Sequence, residues 1–270
     1  MDIREWNIGM AATIPSNKGY ELQPWIINEI TKGEPDCIVL TEFAVSKGID
    51  YFFETLEKKD YHWFISATTK QNGILLALKR STFDFSCTFD YKKSTVKNSE
   101  ALEKGGLPDF LEVVVGWEEK LLSIIGTRIR VDLDEGNNNS WRGKFASLDS
   151  YLASKENTVI CVGDFNAFWP GIWKNKSKNH TLPSTSDKYF LYTPRFNEGE
   201  WWSYVNPKAT EYDGKCQLDH LITNISGREL KVNYDWSFIE ERPEYKSIKA
   251  EDKYKPSGLP DHAILKATVS

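Results

Sequence analysis

The sequence predicts a layered α/β fold built on a mixed β-sheet. Short apolar runs bounded by turn residues recur along the chain, and such runs are typical of buried strands. Segments with apolar residues at helical spacing separate some of these runs, whereas other runs follow one another directly. Strands that alternate with helices in one part and succeed each other in another favour a mixed sheet over a purely parallel one.

The strand predictions rest on alternation, on apolar runs and on breaker residues. Residues 3–8 have the alternating pattern of a strand, and residues 37–41 form an apolar run shortly after Pro35. Residues 111–117 and 121–131 flank a charged turn and therefore predict a β-hairpin. The remaining predicted strands are residues 73–78, 159–162, 218–223 and 263–269.

The helix predictions rest on the spacing of apolar residues. Three segments place such residues three or four positions apart, which aligns them on one face of a helix. These segments are residues 22–30, residues 46–58 with Ile49, Phe52, Phe53 and Leu56, and residues 141–153 with Trp141, Phe145, Leu148 and Leu152.

Length and composition indicate one globular domain. The chain has 270 residues, of which 40% are hydrophobic and 27% charged. It contains no repeat and no proline-rich linker, so we expect a single domain over residues 1–270. The net charge of −5 argues against binding to nucleic acid through general phosphate neutralisation. Any contact with nucleic acid must therefore come from a local site.

The cysteines and the hydropathy indicate a reduced, cytoplasmic setting. The four cysteines include no C-x-x-C pair, which argues against a structural zinc site. Cys37 and Cys161 adjoin apolar residues and are typical of small buried side chains. The sequence has no 18-residue apolar run and no signal-peptide pattern. We expect a cytoplasmic protein without a membrane anchor, and a monomer by default.

Polar side chains suited to catalysis lie where the predicted strands begin or end. Mg²⁺ prefers oxygen ligands, and a histidine paired with a carboxylate assists a water nucleophile. Each such residue alone is equally compatible with a helix cap or an Asx-turn. Their recurrence at five strand ends favours one shared site for a metal ion and a phosphate. The residues are Asn7, Glu42, Asp164, Asn166, Asp219, His220, Asp261 and His262.

Five short blocks resemble those of the endonuclease/exonuclease/phosphatase superfamily, the DNase I-like metal-dependent phosphoesterases. The blocks are EWNIG, PDCIVLTEF, VGDFNAFW, QLDHLIT and LPDHAILKATV. They extend over nearly the whole chain, and Gly-Asp-x-Asn with a later Asp-His is the most specific part. The resemblance implies a four-layer sandwich of two packed mixed β-sheets flanked by helices. It also implies a hydrolase that depends on Mg²⁺ or Mn²⁺.

The resemblance assigns a role to each matching residue. Asp164 matches an aspartate that orients or deprotonates the attacking water, and Asn166 matches an amide that holds the phosphate in the transition state. Asp219 and His262 match a pair in which the carboxylate fixes the imidazole tautomer and raises its basicity. The residues that match the metal site are Asn7, Glu42 and Asp261.

One position departs from the family pattern. Many members have histidine in the central strand, and the AP endonucleases have tyrosine, whereas the matching segment IIGTRIRVD has Arg128 there. Arginine stays charged at neutral pH and cannot act as a general acid, but it binds phosphate through two parallel hydrogen bonds. We predict that Arg128 binds the substrate phosphate, and a structural ion pair is the open alternative.

Aromatic and basic residues flank the predicted site. Aromatic rings stack on nucleic-acid bases, and lysines contact phosphates. We therefore predict a phosphodiesterase that acts on nucleic acid, either DNA or RNA. The residues behind this prediction are Trp169, Trp173, Trp202, Lys174, Lys176 and Lys178.

Two other functions stay open. A phosphatase or phosphodiesterase that acts on a small molecule, or on an inositol or lipid phosphate, would use the same site. A non-catalytic binding module that retains the fold is compatible with the substitution at Arg128. Retention of the other seven site residues speaks against that module, because a scaffold without activity does not require them.

Overall fold

Two six-stranded mixed β-sheets form the centre of the protein. A computed structural model describes residues 1–9, 13–16, 19–66, 73–86, 91–94, 109–130, 138–167, 182, 185, 187–194, 201–205, 215–240 and 260–270.

The strands and helices of this described part are numbered in chain order. The strands are β1 (Asp2–Asn7), β2 (Thr13–Ser16), β3 (Gly19–Leu22), β4 (Cys37–Phe43), β5 (Tyr61–Ile65), β6 (Gly73–Lys79), β7 (Tyr91–Ser94), β8 (Asp109–Trp117), β9 (Lys120–Arg128), β10 (Thr158–Asp164), β11 (Phe190–Tyr192), β12 (Tyr204–Val205), β13 (Lys215–Cys216), β14 (Asp219–Thr223), β15 (Leu230–Asp235) and β16 (Ile264–Val269). The helices are α1 (Pro24–Ile30), α2 (Ile49–Lys58), α3 (Asn138–Ala153) and α4 (Ser237–Glu240).

The two large sheets share one arrangement of strands. The first has the order β15-β16-β1-β4-β6-β5, and the second has the order β11-β14-β10-β9-β8-β7. The pairs β1–β4 and β9–β10 are parallel, and their neighbours in each sheet pair antiparallel. Because parallel strands end at the same edge of a sheet, the carboxyl ends of two central strands lie side by side at one edge of each sheet.

The sheets pack face to face around a shared apolar core. Strand β1 lies opposite β10, β4 opposite β9, and β6 opposite β8. Val39, Leu76, Ile124 and Val162 belong to one buried cluster between the sheets, and burial of such apolar surface is the main driving force for folding. A Cβ atom at Gly126 would lie 2.8 Å from Val39 Cγ1, so glycine permits the close approach of the sheets there.

Helices cover the outer faces of both sheets. Trp25 of α1 contacts Trp6 of β1, with 5.8 Å between the ring centroids. Helix α3 lies on the second sheet, where Phe145 and Leu148 join Ile125 in a separate buried cluster. The predicted α/β sandwich of two packed mixed sheets with flanking helices is therefore confirmed.

The predicted elements all have counterparts, with shifted ends. The helix predicted from residue 46 begins at Ile49, because Gly48 has a φ of 92°, in a region that favours glycine. The edge strands β5 and β15 were not predicted, because partly exposed strands lack a clear apolar run. Cys37 and Cys161 are buried and unpaired, as predicted. None of the described helices is both long and apolar enough to cross a lipid bilayer.

Candidate active site at the converging strand ends

Polar side chains from both sheets meet at one edge of the sandwich. Asp164 pairs with Asp219 on one neighbouring strand and with Arg128 on the other. Asn7 Nδ2 lies 2.9 Å from Asp164 Oδ2, and this hydrogen bond joins the two sheets. The structure thus brings together the eight predicted site residues: Asn7, Glu42, Arg128, Asp164, Asn166, Asp219, Asp261 and His262.

Asp164 is held in place by three hydrogen bonds and is only 2% exposed. Its Oδ2 accepts from Asn7 Nδ2 at 2.9 Å and from Asn166 Nδ2 at 2.8 Å, and its Oδ1 accepts from the Asn166 backbone N–H at 2.8 Å. Burial raises the pKa of Asp164 to about 7, against the opposing charge of His262. A carboxylate that titrates near neutral pH is suited to accept a proton from water.

A tight turn after β10 directs Asn166 back towards Asp164. Alternation along an extended strand would place both side chains on one side of the segment. Instead, Asn166 has a φ of 49°, a left-handed conformation that asparagine tolerates better than most residues. Its Nδ2 also donates to the Ile129 carbonyl at 2.9 Å, so both amide protons serve to hold the turn and Asp164. Phe165 is fully buried in the core.

Asp219 and His262 form a buried pair. His262 Nδ1 lies 2.7 Å from Asp219 Oδ2, and the Asp219 side chain is fully buried. The backbone around Asp219 is fixed because its N–H donates to Ser203 Oγ and its carbonyl accepts from the Tyr234 hydroxyl at 2.6 Å. No hydrogen bond links His262 Nε2 to another described residue, so Nε2 is the nitrogen available to a substrate.

Negative charge around His262 determines its protonation. Burial alone would lower the pKa of His262, but the carboxylates of Asp219, Asp164 and Asp261 outweigh it and raise that pKa to about 10. The ring is therefore an imidazolium at neutral pH. A cationic N–H donor of this kind stabilises negative charge on a phosphate oxygen.

Glu42 and Arg128 form an ion pair between the sheets. Glu42 lies within an irregularity in the pairing of β4 with β6, between Leu40 and Phe43, and has a φ of 53°. Arg128 Nη2 lies 2.5 Å from Glu42 Oε1, and Asn7 Nδ2 lies 3.4 Å from the same oxygen. Arg128 Nε is 4.0 Å from Asp164 Oδ2. Arg128 thus makes the ion pair that the sequence left as an alternative, and makes it inside the site.

Comparison with known proteins identifies the fold. No family model and no curated protein matches the chain. The 3' phosphatase NExo from Neisseria, bound to a product DNA hairpin, is 16% identical and has a TM-score of 0.63, covering 100% of this chain and 99% of NExo. D. rerio TDP2 complexed with a single-strand DNA product is 12% identical with a TM-score of 0.63, covering 100% and 98%. An endonuclease/exonuclease/phosphatase family protein from Leptotrichia buccalis is 13% identical with a TM-score of 0.57, covering 100% and 99%. The chain has the DNase I-like fold.

The carboxylate oxygens at this site are of the kind that a hard divalent cation prefers. Burial and the nearby charge of Glu42 raise the pKa of Asp261, although the His262 charge opposes them, so the clustered carboxylates favour an added positive charge. Asn7 points its NH₂ group at the carboxylates, while its Oδ1 accepts from the Gly9 N–H at 2.9 Å. Among the described residues, no three His, Cys, Asp or Glu side chains form a ready metal-binding group. The metal-binding roles therefore stay predictions.

The sequence analysis missed three residues in or beside this site. Ser203 positions Asp219, and the Tyr204 ring centroid lies 4.9 Å from that of His262. These contacts join short segments far apart in the chain, and no local pattern signals them. Glu5 is fully buried and accepts from Thr41 Oγ1 at 3.2 Å. Its position two residues before Asn7, on the inward face of β1, was an available signal.

The other predicted residues have different outcomes. His220 is buried and hydrogen-bonds through Nε2 to the Ala167 carbonyl at 2.8 Å, and burial lowers its pKa to about 4. The His220 imidazole is therefore neutral at pH 7 and packed in the interior. Trp202 is half-buried, and Lys215 Nζ lies 3.6 Å from its ring centroid. The positions outside the described residues are Trp169, Trp173, Lys174, Lys176 and Lys178.

Proposed function

We propose that the protein is a Mg²⁺-dependent phosphodiesterase that hydrolyses nucleic acid. The observation that carries this proposal is the geometry of the buried Asp164, which Asn7 and Asn166 orient and which lies opposite Asp219, the partner of His262. A proton acceptor close to an imidazole donor is suited to the hydrolysis of a phosphate ester.

Asp164 serves as the base for the attacking water. Among the described residues, Oδ2 accepts two hydrogen bonds and Oδ1 accepts one, so Oδ1 has room to take a proton. Asn7 and Asn166 keep the carboxylate oriented. The water oxygen forms the new bond to phosphorus while the P–O bond to the leaving oxygen breaks. The proton of the water passes to Asp164, and the leaving oxygen takes up a proton from solvent water.

His262 and Arg128 stabilise the charge that develops on the phosphate. Because Asp219 holds Nδ1, the Nε2–H of His262 is the group left for the phosphate. Its cationic N–H donates to a phosphate oxygen, and the guanidinium of Arg128 adds a second positive charge on the opposite sheet.

Three residues are assigned to the metal ion, Mg²⁺ or Mn²⁺. When bound, a divalent cation supplies Lewis-acid stabilisation of the phosphoryl oxygens. Glu42 and Asp261 would supply carboxylate oxygens, which such ions prefer, and the amide of Asn7 would orient Glu42, because its own oxygen accepts from the Gly9 N–H. The residues are Asn7, Glu42 and Asp261.

Two observations support nucleic acid as the substrate class. Two of the similar structures hold DNA products. In this chain, Lys215 lies over Trp202 and presents a cation beside an aromatic ring, the combination that binds a phosphate next to a stacked base. A phosphatase is the second candidate, since NExo is described as a 3' phosphatase.

A substrate panel tests the proposal. The protein is incubated with single- and double-stranded DNA, RNA, a 3'-phosphorylated oligonucleotide and an inositol phosphate, each with MgCl₂ or with EDTA. We expect hydrolysis of a nucleic-acid substrate that requires the metal. Asp50→Asn, which changes an exposed carboxylate, is expected to retain it. Hydrolysis of none of these substrates, or nucleic-acid binding without cleavage, would favour the binding module.

A further inference from the structure

The cationic group nearest to Glu42 in the described chain is the side chain of Arg128. Arg128 Nη2 lies 2.5 Å from Glu42 Oε1, and the side chains are only 16% and 19% exposed. The pair joins β9 of one sheet to β4 of the other. Because both partners are largely removed from water, neither charge is stable there without a counter-charge.

The guanidinium lies between two carboxylates. Arg128 Nε is 4.0 Å from Asp164 Oδ2, and this buried nitrogen has no hydrogen-bond partner within the described part of the chain. Asn7 Nδ2 approaches the same Glu42 oxygen at 3.4 Å. The positive charge of Arg128 therefore neutralises the carboxylate to which the proposed metal site assigns a divalent cation.

We propose that Arg128 competes with the divalent cation for Glu42. This inference rests on the proposed metal site. Two cations at one carboxylate repel each other strongly in a poorly solvated cavity, so the guanidinium must leave Glu42 before the metal ion binds. The ion pair thus weakens the metal affinity of the free protein.

A displaced guanidinium needs a new partner, because an unpaired buried charge is costly. A phosphate group in the cavity supplies that partner with matching geometry. Phosphate binding and metal binding then assist each other, and the coupling is reciprocal by thermodynamic linkage. Arg128 makes the metal site strongest when substrate is present.

The test measures Mn²⁺ binding by electron paramagnetic resonance, without reference to activity. We expect Arg128→Gln to bind Mn²⁺ about tenfold or more tightly than the wild type, because the competing charge is gone. Arg128→Lys keeps the charge and is expected to stay near the wild type. Arg80→Gln, which removes an exposed partner of Asp60, is the matched control and is expected to change nothing. The gain must disappear in the Glu42→Gln/Arg128→Gln double variant.

A second measurement uses the wild type alone, so it does not depend on the folding of a variant. We expect dimethyl phosphate, a phosphodiester mimic, to raise the Mn²⁺ affinity of the wild type about fivefold or more.

The outcomes separate this inference from the proposed function. Equal or weaker Mn²⁺ binding by folded Arg128→Gln, or no effect of dimethyl phosphate on the wild type, would overturn the competition. Absence of Mn²⁺ binding in every variant would overturn both the competition and the metal-dependent function. Nuclease activity with unchanged Mn²⁺ affinity in Arg128→Gln would reject the competition alone.

Discussion

At the scale of single residues, the proposed function makes Asp164 a proton acceptor and His262 a proton-bearing donor. Burial raises the pKa of Asp164 to about 7, while three surrounding carboxylates raise the pKa of His262 to about 10. Asp164 therefore takes up a proton more readily than an ordinary aspartate, and His262 keeps its proton more firmly than an ordinary histidine. The proposed acid–base chemistry requires both shifts.

The first prediction removes each of these groups in turn. Asp164→Asn keeps the shape of the side chain but cannot accept a proton, and His262→Ala removes the cationic donor. We expect each substitution to lower kcat by roughly two orders of magnitude or more. Initial rates at saturating metal measure the effect, with circular dichroism to verify folding. Rates close to the wild type in either variant would contradict the assigned role.

The second prediction concerns the protonation of His262 in the metal-free protein. The pKa is raised to about 10, so the pair with Asp219 contributes stability below the unfolded value and loses it as the pH rises through about 10. NMR titration of the imidazole should show this midpoint. In Asp219→Asn burial dominates, and the midpoint should fall by roughly two units or more. A wild-type midpoint near 6.5 would refute the pairing.

At the scale of elements, the end of β10 depends on a glycine. Gly163 has a φ of 154°, and an added Cβ would lie 1.8 Å from the Thr127 carbonyl oxygen on β9. A side chain at this position would separate the parallel strands that carry Asp164 and Arg128.

The third prediction compares two glycine substitutions. Gly163→Ala should lower the free energy of unfolding by about 3 kcal/mol or more, because backbone must move. Gly227→Ala is the control: it also has a positive φ, of 75°, but apart from its chain neighbours no described residue places an atom within 4 Å of the added Cβ. Its cost should stay near 1 kcal/mol. Urea unfolding measures both, and equal losses would contradict the steric argument.

Helix α3 is attached to the second sheet by a buried ion pair. Lys155, two residues after the end of the helix, places Nζ 2.5 Å from Glu112 Oε1 on β8, and the Tyr151 hydroxyl donates to the same carboxylate. Burial alone would raise the pKa of Glu112, but the hydrogen bonds from Lys155 and Tyr151 lower it. The pair therefore stabilises the fold above the unfolded pKa of a glutamate and is lost as the pH falls through the folded value.

The fourth prediction follows from the pH dependence of this ion pair. The stability difference between the wild type and Lys155→Met should widen as the pH rises from about 3 to 6, towards about 3 kcal/mol. Lys58→Met, in the exposed pair with Glu54, should cost no more than about 0.5 kcal/mol throughout. Urea unfolding across this pH range provides the measurement. A difference that does not depend on pH would exclude the ion pair as the cause.

At the scale of the whole molecule, the sequence predicted the fold and the polar residues that meet at one edge of the sheets, for identifiable reasons. Apolar runs such as residues 159–162 mark buried strands, and polar residues at their ends mark the edge where the sheets converge. Contacts between distant segments were not predictable, because no local pattern encodes the approach of Ser203 to Asp219 or of Arg128 to Glu42. The left-handed turn at Asn166 was also invisible to an argument from alternation.

The central claim is that side chains from both sheets form one centre for a divalent cation and a phosphate ester. The most direct measurement is a crystal structure of the Asp164→Asn variant with Mn²⁺ and a short DNA strand. We predict an anomalous peak beside Glu42 and Asp261, with a DNA phosphate within hydrogen-bond distance of His262 Nε2. A Mn²⁺ peak elsewhere, or DNA bound away from this edge of the sheets, would contradict the account.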